Sequence, residues 1–507
     1  MKKISSFLLI AFACLQLSFL HAQERIMVIA DPHVMPLSLI ENYDNFDEYM
    51  AGQRKMLQLS EPAWLALMDT AMKYRPDLVL IPGDLTKDGE PEAHAMVTNS
   101  LNALQEAGIP SLVIPGNHDM PDGGWETLYA STYDHVLKDP GSRSFVAEPL
   151  RGLTVLGIDG TQEGPNSGKI TKSTLAWILA QADSAVAKGH MIIAMTHWQI
   201  LEHFDMQGTM ESSCRMNNAD ALRDSLMHHG VRLVLTGHFH VNGITTFRDT
   251  TGLTNDSLVE ISTGSPITYP CPYRWLTISE DRSTVEVSTE DLLALPQEPD
   301  LLTYSREWMR EHTANLIPVV TLRAWSKVDA NWEKIEAKMT AAGLGSYLPM
   351  IEAQLPQTDE EKVDLVKRHL GPTIVGLYLV HSEANEPEND STEVLVEQLY
   401  AGIDDMVDEV LGLYTIFLGP IMKPMAKMMM QEPLQSLVED VTNWSSALYS
   451  NRTDDLAPTL VINDPQPVIP DALDILQDPT DTRKLLRNGQ LLILRNGQTY
   501  TITGQRF

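Results

Sequence analysis

Five apolar runs of strand length in the first half of the chain each break off onto side chains able to ligate a metal. Residues 26–30 lead into Asp31-Pro32-His33, 78–81 into Gly83-Asp84 and 111–114 into Gly116-Asn117-His118-Asp119. Residues 191–195 lead into Thr196-His197-Trp198, and 233–235 into Gly237-His238-Phe239-His240. One histidine after one strand is ordinarily packing or surface. Recurrence after successive strands is different, because an open α/β sheet gathers such ends at a single crevice. Amphipathic segments alternate with these runs and with residues 153–158. One of them, 218–229, starts with an Asn cap and stops at Gly230. The alternation predicts an α/β domain over residues 23–295.

Neutral imidazoles, carboxylates and one amide carbonyl form a donor set suited to divalent Mn, Fe or Zn. Gly83, Gly116 and Gly237 each precede a ligand at a strand-to-loop turn, where the backbone needs special angles or close approach. Asp84 stands alone in its motif and has two oxygens, so it is the natural bridge between two ions. With it, Asp31, His33 and His240 complete one site, and Asn117, His197 and His238 the other.

The ordered set D-x-H, GD, GNHD, H and GHxH resembles the calcineurin-like metallophosphoesterase superfamily. The resemblance covers about residues 25–290. It takes in Gly89-Glu90-Pro91-Glu92, Gly168-Lys169-Ile170 leading to Leu175-Ala176-Trp177-Ile178, and the segment 219–230. Those stretches look most like the subgroup containing the class III cyclic nucleotide phosphodiesterases. The family implies a four-layer αββα sandwich and phosphoester hydrolysis at two divalent ions. Two such ions about 3.5 to 4 Å apart hold phosphoryl oxygens and present a bridging hydroxide for in-line attack, so no Ser or Cys nucleophile is needed. His118, beside Asn117, is expected to be the catalytic residue that protonates or stabilises the leaving oxygen. In many relatives a carboxylate three residues after the bridging Asp orients that histidine. Here Lys87 occupies the position and Asp88 follows it, which leaves Asp88 and Asp119 as the candidate partners. Weaker general-acid help would favour substrates with good leaving groups.

The chain has 37 Lys+Arg against 68 Asp+Glu, a net charge of −31. That balance argues against nucleic-acid polymers, and two cations in an acidic body favour small phosphoesters. Lys2 and Lys3 precede an apolar stretch over 7–20, and Leu20-His21-Ala22 follows. This reads as a signal peptide at residues 1–22, removed after Ala22, and places the protein in the periplasm or secreted to the cell surface. Export argues against an intracellular second messenger. The expected substrates are nucleotides, glycerophosphodiesters or phospholipid head groups. The expected function is therefore an exported phosphodiesterase, with two alternatives: a phosphomonoesterase or nucleotidase of the same fold, or a surface binding protein whose catalysis has lapsed. In that compartment Cys214 and Cys271 are permitted, but not required, to pair.

Residues 296–450 carry helical periodicity and predict an all-α domain. Leu395, Leu399, Met406, Val410, Leu413 and Phe417 form one apolar stripe, read as bundle core. Met422, Met425, Met428, Met429 and Met430 fill an irregular core or, as the alternative, meet a phospholipid surface or a metal. Residues 451–481 read as a Pro- and Asp-rich linker. Residues 482–507 read as a β-hairpin tail, a short meander with turns at Asn488-Gly489 and Asn496-Gly497. The tail resembles the C-terminal sorting tails of some secreted Gram-negative proteins; docking on the body is the equal alternative. His203 reads as ordinary although it lies six residues after His197. Trp198 and Phe239 either stack on substrate or pack the site wall. No feature of the sequence sets the oligomeric state.

Overall fold

The computed structural model describes residues 23–120, 136–161, 168–204, 207, 212–249, 256–315, most of 317–384, 390–412, 455–462 and the strand residues between 483 and 501. The expected signal peptide at 1–22 lies outside the described residues, as do Leu413, Phe417 and the methionines at 422–430.

Two mixed sheets lie face to face. The first runs in the order Thr459–Val461 (β13), Thr284–Asp291 (β12), Pro272–Ile278 (β11), Glu24–Val28 (β1), Leu78–Ile81 (β2) and Ser111–Val113 (β3). The second runs Leu137–Lys138 (β4), Phe145–Leu150 (β5), Leu153–Ile158 (β6), Met191–Thr196 (β7), Leu233–Thr236 (β8), Ser257–Ser262 (β10) and Gly243–Arg248 (β9). Strands β1, β2 and β3 are parallel, as are β6, β7, β8 and β10. Their carboxyl ends are therefore the ends that carry the ligand motifs.

Burial on both faces explains why these central strands read as unbroken apolar runs. In β7, Met191, Ile193 and Met195 enter the core between the sheets. Ile192 and Ala194, offset by one residue, enter a second core beneath Lys172–Ala187 (α3) and Ala219–His228 (α4). Trp64 and Leu67 of Ser60–Tyr74 (α1) and Val97 and Leu101 of Pro91–Glu106 (α2) join the core of the first sheet. The layers are helix, sheet, sheet, helix. Asn218 does occupy the cap position of α4, but its side chain makes no capping hydrogen bond.

Leu301–Ala314 (α5), Asp359–Ser382 (α6) and Asp390–Gly412 (α7) follow. A capping box starts α6: Glu361 N donates to Thr358 Oγ1 at 3.2 Å and Thr358 N to a Glu361 carboxylate oxygen at 3.1 Å. Met309, Leu370, Leu377, Leu399 and Met406 share a core, with Leu395 packed against it, so the described part of the apolar stripe is bundle core. Helix α5 also ties to the sandwich, because Leu301 is buried in the main core. Among the described residues no helix is long and apolar enough to cross a membrane.

The segment read as a linker contributes a strand. Thr459–Val461 pairs antiparallel with β12, and the Asp455 carboxylate accepts from Ile244 N at 2.6 Å. Three residues with only Leu460 buried leave no pattern to read in advance. Arg483–Arg487 (β14), Gln490–Arg495 (β15) and Gln498–Thr501 (β16) form the expected meander. Cys214 and Cys271 are both buried and free, so the pairing that the sequence permitted is not made.

Candidate metal centre

The loops after β1, β2, β3, β7 and β8 bring the seven expected ligands together. Donor atoms of Asp31, His33, Asp84 and His240 lie within 4.8 Å of one another, as do those of Asp84, His197 and His238. Asp84 belongs to both groups, the place expected of a bridge. Asn117 joins the second group through its Oδ1, 3.1 Å from His197 Nε2.

The imidazoles are turned for coordination. His197 Nδ1 faces the Pro82 carbonyl oxygen at 2.9 Å, which fixes its proton there and leaves the Nε2 lone pair aimed inward. His238 is turned the other way: Nε2 faces the Ser213 carbonyl at 3.2 Å, and Nδ1 points into the site, 3.1 Å from His197 Nε2. His33 Nε2 and His240 Nε2 face each other at 3.0 Å. Pairs of imidazole nitrogens converging on one point, beside buried carboxylates, are what a shared cation accommodates.

Electrostatics point the same way. Burial opposes a charge on His197, but Asp84, 3.3 Å from Nε2, and Asp31 outweigh it and hold the pKa at about 9. Burial and then His197 push His238 down to about 3. Burial resists ionisation of Asp84, yet His197 and His118 hold its carboxyl well below the usual range. The carboxylates thus demand positive charge, and the residues present fit two divalent ions.

Backbone strain accompanies this convergence. Asp31, His33, Asp84, His238 and His240 all have positive φ, between 41° and 69°, a region that non-glycine residues occupy only when their surroundings enforce it. Here the enforcement is a cross-braced set of loops. His33 N donates to Asp84 O at 2.9 Å, His238 N to the Asp31 carboxylate at 2.9 Å, and His118 N to Asp84 Oδ1 at 2.9 Å. Close approach also explains two glycines. A Cβ on Gly116 would fall 2.1 Å from Asp84 Oδ1, and one on Gly237 would fall 2.3 Å from Asp31 Oδ2.

His118 stands at the edge of the centre, its ring 4.8 Å from that of His33. Its Nδ1 lies 2.8 Å from Asp88 Oδ1. Asp88 is in turn held by Lys87 and by its own N–H, which donates to Glu90 at 2.9 Å. Burial opposes ionisation of Asp88, but the bonds from His118 and Lys87 lower its pKa. Asp119 does something else. Fully buried, it accepts from Gly116 N, Leu85 N, Thr86 N and Thr86 Oγ1 and braces two ligand loops together. Of the two carboxylates that the sequence left open, Asp88 meets the histidine.

Trp198 is 1% exposed and packs on His197 and His238, so it belongs to the wall rather than the substrate face. Phe239 rests between Phe204 and His381 of α6. His203 is buried, with Nε2 3.1 Å from Glu260, and takes no part in the site. One group was missed. Lys55, in a loop with no motif, places Nζ 3.4 Å from His118 Nε2, and burial lowers its pKa against the pull of Asp84, Asp88 and Asp31.

Comparison with known proteins agrees with this geometry. Residues 24–242 match the calcineurin-like phosphoesterase family model. The chain is 25% identical over 201 residues to a probable cyclic nucleotide phosphodiesterase of Synechococcus, covering 37% of this chain and 69% of that one. It is 32% identical over 114 residues to a glycerophosphodiester phosphodiesterase of Enterobacter lignolyticus, covering 22% and 39%. A cAMP/cGMP dual specificity phosphodiesterase of Mycobacterium tuberculosis is 28% identical over 176 residues, covering 34% and 51%. The protein is thus a metal-dependent phosphoester hydrolase that works with two divalent ions. The match to the calcineurin-like phosphoesterase family lies within its N-terminal sandwich.

Proposed function

We propose that this chain is an exported phosphodiesterase that hydrolyses small phosphodiesters. The observation that carries this reading is the His118–Asp88 pair, set beside the shared carboxylate Asp84 at the edge of the two ligand groups. Asp31, His33, Asp84 and His240 would hold one ion, and Asp84, Asn117, His197 and His238 the other. When bound, the ions supply Lewis acidity toward the phosphoryl oxygens and an acidified water. The Asp88 carboxylate accepts from His118 Nδ1 and fixes the ring, so that Nε2 is the nitrogen turned toward the leaving oxygen as its proton donor.

The phosphodiesterase names of the relatives support the diester preference, and the net charge of −31 supports a small substrate over a polyanion. Export rests on the signal-like sequence of residues 1–22. The test uses protein lacking residues 1–22, stripped of metal and then given manganese, on bis(p-nitrophenyl) phosphate and p-nitrophenyl phosphate. Metal-dependent turnover favouring the diester supports the reading. Preference for the monoester replaces it with a phosphatase, and no turnover with two ions bound overturns it. Fractionation of cells expressing the full chain tests export.

A further inference from the structure

We propose that Lys55 is a substrate contact of this site: its ammonium holds the phosphoryl group beside His118, and the helices after residue 300 fix it there. The inference rests on the phosphoester hydrolase reading and adds to it a residue outside the ligand motifs.

Lysine side chains are long and mobile, so one that reaches a buried centre must be delivered by fixed backbone. Residues 51–56 form a loop between the helix Phe46–Met50 and the buried Met56 and Leu57. Both of its flanks are pinned. On one side Met56 N donates to Ile267 O at 2.8 Å. On the other, a side chain from the middle of α5 and one from its C-cap grip the backbone: Trp308 Nε1 donates to Gln53 O at 3.1 Å, and Asn315 Nδ2 to Ala51 O at 2.7 Å. The Arg54 guanidinium, one residue before Lys55, lies over the Tyr378 ring of α6 at 5.6 Å. Arg54 and Lys55 therefore point to different neighbours, Arg54 to the helices and Lys55 to the metal centre.

Lys55 Nζ reaches to 3.4 Å from His118 Nε2. Among the described residues it forms no salt bridge, so structural ion pairing does not account for its position. With Nδ1 facing Asp88, Nε2 of the neutral His118 ring accepts from Lys55 Nζ, but when the ring carries the proton it is to deliver, both nitrogens donate and neither satisfies the other. A phosphoryl or leaving oxygen is the group that fits there, since it can accept from both. A cation at this point is also placed to offset the charge that develops on the leaving oxygen as the P–O bond breaks.

The arrangement also gives the helical segment a part in substrate handling. A sandwich without α5 would retain every ligand motif, but Gln53 O and Ala51 O would lose the donors that fix the loop.

The test compares K55M, K55Q and K55R with the parent protein, each with its metal content measured. The first readout is binding of inorganic phosphate by calorimetry. The second is kcat and KM on a series of aryl phosphodiesters of rising leaving-group pKa. We expect K55M and K55Q to keep two ions per chain, to bind phosphate about tenfold more weakly and to lose about 100-fold in kcat/KM, with the loss growing for poorer leaving groups. K55R should recover most of the phosphate affinity. N315A should weaken phosphate binding in the same direction and add no further loss in the K55M background. Phosphate affinity and kcat/KM within about twofold of the parent in K55M and K55Q, with metal intact, would overturn the role of Lys55. An additive loss in the N315A K55M double variant would overturn the clamp. Absence of turnover in the parent protein would count against the hydrolase reading alone, because phosphate calorimetry still decides the fate of Lys55.

Discussion

His118 Nδ1 lies 2.8 Å from Asp88 Oδ1, and that carboxylate sits one residue beyond the position, occupied here by Lys87, where the family resemblance leads one to expect it. The offset is absorbed by Lys87, whose ammonium pairs with Asp88 and lies within 5.1 Å of the Tyr43 and Tyr49 rings. A histidine oriented in this way retains its capacity as a general acid, so the site need not be restricted to good leaving groups. We expect Asp88→Asn to lower kcat about 10- to 100-fold on a substrate with a poor leaving group and much less on a nitrophenyl ester. Equal losses on both substrates would show that Asp88 serves the metal centre instead.

Asp84 is the group on which both halves of the centre depend. It has oxygens 3.6 Å from His33 Nε2 and 3.3 Å from His197 Nε2, and it accepts from His118 N. Asp84→Asn removes the charge but keeps the shape. Metal analysis should find fewer than two ions per chain, and turnover should fall about 1,000-fold, equivalent to roughly 4 kcal/mol of lost transition-state stabilisation. Full activity with two ions retained would remove Asp84 from the centre.

Much of this was legible in the sequence because of where polarity stops. The parallel strands are buried on both faces, so they stand out as apolar runs, and their ligands convergence follows from all of them ending at one edge. Strands buried on one face do not announce themselves in this way. In β12, Val285 and Val287 alternate with exposed Glu286 and Ser288, and in β13 only Leu460 is buried. Asp88 and Asp119 were not separable in advance, because both lie within reach of His118 along the chain and only the fold turns Asp119 back onto the loops after β2. Lys55 belongs to no motif, and its position is set by Trp308 and Asn315, more than 250 residues later.

Metal binding should release protons in a predictable amount. Without ions, His197 has a pKa of about 9 and is protonated at neutral pH, whereas His238, at about 3, is already neutral. Coordination needs the Nε2 lone pair of His197, so binding near pH 7 should expel about one proton per chain, and affinity should rise about tenfold per pH unit up to about 9 and then level off. Calorimetry in two buffers of different ionisation enthalpy measures the proton directly. The sign for folding is the reverse. The raised pKa of His197 stabilises the metal-free fold fully below 6.5, its ordinary value, and that contribution is lost as the pH rises through about 9. A metal affinity independent of pH between about 7 and 9 would show that His197 carries no such proton.

Gly116 offers a test of the centre that touches no ligand. Its φ of −102° suits any residue, so a side chain there is excluded by space and not by backbone strain. A Cβ would fall 2.1 Å from Asp84 Oδ1 and 2.5 Å from Asp84 N, and these are atoms that the surrounding loops hold fixed. Gly116→Ala should therefore cost about 1 to 3 kcal/mol of stability by overpacking and displace the Asp84 carboxylate, lowering metal occupancy as well. Gly141→Ala is the matched control. Its Cβ meets nothing nearer than 3.8 Å, and its effect on melting should stay within about 0.5 kcal/mol. If Gly116→Ala melted like the control and still bound two ions, the close packing of the third loop against Asp84 would not be what sets the geometry of the site.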